Sequence, residues 1–147
     1  MCCGRMPPNK VDLSAGSVLH VRGFSSRGHL PKDKYILIIG QKSDSEVLGF
    51  LISSQLVYLK QKSHKNEVVR LPHNATGFLK VESIIQCFEL ERLAFTSLCE
   101  GFDDGKVSNS GKLPIKYLHK IREVVAESFL LAQRDIEEAL RVLPRAM

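Results

Sequence analysis

Two short apolar runs joined by a polar turn organise the first half of the chain. Lys34-Tyr35-Ile36-Leu37-Ile38-Ile39 is followed, after Gln41 to Glu46, by Gly49-Phe50-Leu51-Ile52-Ser53-Ser54-Gln55. The first run is rich in β-branched residues and apolar on both faces, so it predicts a central strand. The second ends in two hydroxyls and an amide. Before them, Gly16 to Val21 alternates apolar and polar positions, as a half-buried strand does. Gly23 to Lys34 predicts a loop, with Gly23, Gly28, Pro31 and two serines. Leu56 to Leu59 is expected to extend the second strand past a bend, and Glu67 to Leu71 reads as a short strand. Leu79 to Leu90 reads as a strand pair or one long bent strand. Glu89 and Glu91, two apart, are expected on one solvent-facing side of it.

The style changes near Leu93. Gly101 to Gly111 is polar and glycine-bounded, and predicts a flexible loop over 101–112. From Pro114 the apolar residues recur at helical spacing: Leu118, Ile121, Val125 and Phe129, then Ile136, Ala139, Leu140 and Leu143. Pro114 suits a helix start, because the N–H it lacks has no helical partner there. A break near Gln133 or Asp135 would make two helices of the stretch, and Pro144 ends it. The expectation is a mainly β (α+β) chain of five to seven short strands, followed by one or two C-terminal helices. Strands about ten residues apart with Gly- and Pro-rich turns point to a small barrel or sandwich. The divisions are a tail over 1–13, a barrel over 14–100, the loop, and a helical extension over 113–147.

Composition narrows the picture slightly. The chain has 147 residues, 44% hydrophobic and 25% charged, which suits one globular domain. No apolar run approaches a membrane span, and the start shows no secretory h-region, so a cytoplasmic protein is expected. Cys2, Cys3, Cys87 and Cys99 form no recognisable framework and are expected as reduced thiols, with no metal site.

Charge is distributed unevenly. Residues 1–80 hold twelve Lys and Arg against five Asp and Glu, whereas 81–147 hold nine against eleven. The excess falls in two loops, one with Arg22, Arg27, His29, Lys32 and Lys34, the other with Lys60, Lys62, His64, Lys65 and nearby Arg70. A one-sided basic surface attracts polyanions.

Five segments in serial order resemble the PemK/MazF-like toxins of bacterial toxin–antitoxin systems. They are Gly-Ser-Val-Leu-His-Val (16–21), Lys-Tyr-Ile-Leu-Ile-Ile (34–39), Phe-Leu-Ile-Ser-Ser-Gln (50–55), Glu-Val-Val-Arg-Leu (67–71) and the stretch from Leu79 to Leu93. The resemblance implies a small SH3-like barrel, usually a homodimer, that cleaves single-stranded RNA without a metal or cofactor. It also implies an antitoxin protein lying across the RNA groove. Lys34 stands where the family commonly has Arg, Tyr35 where it has Pro, and Ser53 matches its Thr or Ser. Lys keeps the charge of Arg but loses the fork that binds phosphate twice.

On this reading Lys34 and Ser53 are the catalytic candidates. Lys34 would stabilise the charge gathering at phosphorus, and Ser53 would hydrogen-bond a non-bridging oxygen. Arg22, Arg27, His29, Lys32, Ser54, Gln55, Lys62, Lys65 and Arg70 are the RNA-binding candidates. His29 suits a general base by its charge range, and Phe24 could stack a base. Ser83, after Glu82, reads as a structural hydroxyl bonding the neighbouring turn. The alternative is a catalytically weak or inactive barrel that binds nucleic acid or protein.

Overall fold

A computed structural model describes residues 13–24, 32–54 and 56–145. Arg27, His29 and Gln55 from the candidate set lie outside the described residues, as do Cys2 and Cys3. The elements are β1 (Ser17–Phe24), β2 (Lys32–Gln41), β3 (Glu46–Ser53), a 3-10 turn (Leu56–Leu59), β4 (Val68–Leu71), β5 (Ser83–Gln86), β6 (Glu91–Ala94), α1 (Phe95–Asp104), β7 (Val107–Lys112), α2 (Ile115–Ala126) and α3 (Gln133–Val142).

The fold is mixed α+β, built on one seven-stranded antiparallel sheet. Its strands run in the order β4-β5-β3-β2-β1-β7, and this path does not close on itself. One edge of β3 is shared. Ile52 and Ser53 pair with β5, while Glu46 to Gly49 pair with β6. Ile36, Leu37, Ile38 and Ile39 are fully buried, which makes β2 the central, two-sided strand that its composition predicts.

Each face of the sheet carries its own core. On one face, Leu37, Ile39, Phe50, Ile52 and Ile85 pack with Leu118, Ile121 and Val125 of α2 and with Ala139 of α3. On the other, Leu19, Ile36, Ile38 and Val47 pack with Leu98 of α1 and Val107 of β7. Leu13, expected in a tail, is buried in this second core. Two glycines permit close approaches. A Cβ on Gly101 would lie 2.3 Å from the Val107 Cγ2, and one on Gly49 only 2.6 Å from the Leu37 carbonyl oxygen.

Several expectations are corrected. Residues 101–112 are not a flexible loop: they hold the end of α1 and the edge strand β7. Gly105, at φ 82°, caps α1 in the left-handed region and turns the chain into β7. Leu56–Leu59 is a 3-10 turn rather than a strand, and within 79–90 only Ser83–Gln86 is extended. The C-terminal stripe forms two helices. Phe129, read as part of the first stripe, lies past the end of α2 and is 95% exposed. Glu91 does not face solvent; it is buried where β6 meets β3, opposite Gly49. Cys87 is a buried free thiol, but Cys99 is disulfide-bonded, against the expectation of reduced cysteines. Which sulfurs meet is decided by the fold, and the spacing of the cysteines carries no sign of it. Among the described residues no helix is long and apolar enough to cross a membrane.

Candidate functional site

Strand register brings the two catalytic candidates together. Tyr35 pairs with Ile52, Lys34 pairs with Val21 on β1, and Ser53 pairs with Ile84 on β5. Lys34 and Ser53 therefore each lie one residue beyond the Tyr35–Ile52 pair, at the neighbouring ends of β2 and β3. Both are half-buried. They line one open cleft of about 460 Å³ at the ends of β2 and β3, together with Asp33, Tyr35, Ile52 and Ser54.

Within the cleft Tyr35 sits between two other rings, with centroids 5.1 Å from His20 and 5.2 Å from Phe78. The connection from β4 to β5 walls the cleft with Phe78, Leu79, Lys80 and Val81. That wall is tied at several points. The Leu79 N–H donates to Thr76 Oγ1 at 3.3 Å, and the Phe78 ring rests against Gly111. Ser83 Oγ donates to the Val81 carbonyl at 3.2 Å, which is the structural role expected of it. Arg70 grips Glu82 Oε2 through Nε and Nη2, at 2.9 and 2.7 Å.

The other candidates are dispersed. Ser54 lines the cleft and is exposed. Lys32 is exposed opposite Phe24, and exposed Arg22 gives its backbone N–H to the Lys106 carbonyl; neither lines the cleft. Lys62 and Lys65 are exposed on the loop after the 3-10 turn. The Arg70 guanidinium is held by Glu82. Phe24 packs against the second core instead of standing ready for a base. Sequence reading missed Tyr35, Phe78 and Lys80 as site residues. The available signal was Phe78-Leu79-Lys80-Val81, an aromatic and cationic run just after a glycine turn.

Charge elsewhere is structural. Arg92 of β6 bonds Asp135 and Glu138 of α3 and Glu46 of β3, and Lys42 pairs with Glu46 and Glu138. Hydrogen bonds from Arg92 and Lys42 pull the Glu138 carboxyl down to about 2, and the Arg92 guanidinium is pushed up by its hydrogen bonds to Glu138 and Asp135. Burial, aided by the charge of Glu67, pushes the Cys87 thiol well above its ordinary range. A second hollow of about 380 Å³ lies beside His64, Phe88, Leu90 and Leu131. Its His64 ring stands edge-on to Phe88 at 4.7 Å. Among the described residues no group of three or more His, Cys, Asp or Glu could hold a metal ion.

No family model matches the chain, and no curated protein matches it in sequence.

Proposed function

We propose that the cleft binds single-stranded RNA and cleaves it, as in the PemK/MazF-like toxins that the five segments resemble. The observation that carries this reading is the adjacency of Lys34 and Ser53 at the rim of one open cleft. In the proposed reaction the RNA 2′-oxygen forms a bond to phosphorus as the bond from phosphorus to the 5′-oxygen breaks. One proton leaves the 2′-hydroxyl and one reaches the departing 5′-oxygen. Lys34 stabilises the charge on the non-bridging oxygens, and Ser53 donates a hydrogen bond to one of them. The chain needs neither metal nor cofactor for this. It works as a homodimer, is silenced by an antitoxin protein, and acts in the cytoplasm. The sharing of one β3 edge by β5 and β6 supports a small SH3-like barrel as its finer description.

A second reading, binding without cleavage, has its own observation. Lys34, at the cleft, offers a phosphate a point charge without the two-pronged fork of the Arg that the family commonly has there. An RNA digest with mapped ends, run with and without EDTA, separates the two. Cleavage predicts a 2′,3′-cyclic phosphate end in both conditions, lost in Lys34→Ala and Ser53→Ala. Intact RNA that is nonetheless retained by the protein leaves the binding reading.

A further inference from the structure

The cleft has an apolar half that phosphate chemistry does not use. Tyr35 and Phe78 pack against each other in its wall, centroids 5.2 Å apart and tilted by 37°, with His20 continuing the row behind Tyr35. Both rings are half-buried, so part of each is open to the cleft. Val81, 56% exposed, adds a branched aliphatic side chain to the same wall. Lys80 is exposed between them in sequence and also lines the cleft. The wall is prearranged: Phe78 rests on Gly111, where a Cβ would come within 3.3 Å of the ring, and the Thr76 and Ser83 hydroxyls fix the backbone around it.

We propose that Tyr35 and Phe78 form a stacking subsite for one unpaired nucleobase, and that Lys80 holds the phosphate joining it to its neighbour. This rests on the RNA reading of the cleft and deepens it. Tyr35, Phe78 and Lys80 line the same cleft as Lys34 and Ser53, so a base on the rings and the phosphates beside it fall within one site. A base within a duplex offers only its edges, whereas an unpaired base offers the π-face that these rings require. Every base has that face, so the subsite selects for single strands more than for sequence. A cleft of about 460 Å³ lies in the range of small-ligand pockets, roughly 300–1,000 Å³.

The test uses the wild-type chain and a short RNA with a non-cleavable linkage, carrying either 2-aminopurine or an abasic residue at one position after another. At one position, 2-aminopurine emission falls on binding, and removal of the base weakens binding roughly tenfold or more. Phe78→Leu, which keeps apolar contact with Gly111, reproduces the abasic loss and abolishes the quenching. Equal binding of intact and abasic RNA at every position, with unchanged emission, overturns the subsite while leaving the RNA reading standing. Equal affinity for a duplex also overturns it. Binding of neither RNA overturns both.

Discussion

Glu67, at the foot of β4, holds the connection between α2 and α3 through Phe129, whose backbone N–H donates to Glu67 Oε2 at 2.8 Å. Ser128 Oγ donates to the other carboxylate oxygen and in turn accepts the Leu131 N–H at 3.0 Å. Glu67 is only 3% exposed, but Ser128 is half-buried and Phe129 exposed, so water can meet part of what Glu67→Ala removes. The expected loss is about 1 kcal/mol, the ordinary net worth of a hydrogen bond to a charged group or somewhat less, with Glu67→Gln losing less because one acceptor remains. Urea unfolding reads this as a lower midpoint at unchanged slope. Equal stability of wild type and Glu67→Ala would show that the clamp contributes nothing.

Gly49→Ala should be costly for a different reason. The added carbon would sit 2.6 Å from the Leu37 carbonyl oxygen and 3.0 Å from Ile36 Cγ2. The first obstacle is backbone, in the centre of the sheet, and cannot swing aside. Overpacking of this kind costs about 1–3 kcal/mol. At Gly77, where a Cβ meets nothing within 4 Å, the same change should have little effect. Thermal melts of the two variants are the comparison, and similar melting temperatures would contradict it.

Acid should loosen α3. The Glu138 carboxyl is held down at about 2 by hydrogen bonds from Arg92 and Lys42, with Arg134 also in reach and Glu46 and Asp135 sharing the cations. A carboxyl whose folded value is lowered contributes stability above its ordinary range and loses it as pH falls through the folded value. The contribution is therefore full above about pH 4.5 and fades toward about pH 2. Glu138→Gln should be less stable than wild type near neutrality, and the gap should shrink across that window. A gap that stays constant with pH would assign the loss to packing instead.

How much of this was legible follows from what each segment buries. β2 and β3 announce themselves because their apolar runs are uninterrupted, and α2 because Leu118, Ile121 and Val125 recur at helical spacing. β7 was not legible. Val107 is its one buried residue, and the polar remainder is extended because its backbone pairs with Ser17 to Val21. α1 was obscured by Gly101, a poor helix former that is there to admit Val107. At the cleft, Lys34 and Ser53 could be paired in advance because they lie at matched ends of adjacent strands. Phe78 could not, because its place depends on how the β4–β5 connection folds back onto Gly111.

Lys34 provides the sharpest test of whether local geometry or diffuse charge binds RNA. If its ammonium neutralises a phosphate in the cleft, Lys34→Ala removes one contact. The slope of log affinity against log salt should then fall by about 0.7, the value per phosphate for a single strand. Lys62→Ala removes the same charge from an exposed loop that does not line the cleft, and should leave the slope nearly unchanged. Equal effects of the two would mean that the basic surface binds without a site. Lys34→Arg then probes the chemistry. It restores the fork that grips phosphate through two hydrogen bonds. Cleavage should rise above wild type in Lys34→Arg, while the salt slope stays at the wild-type value. A fall in cleavage would mean that the half-buried position at the start of β2 is shaped for the slimmer ammonium.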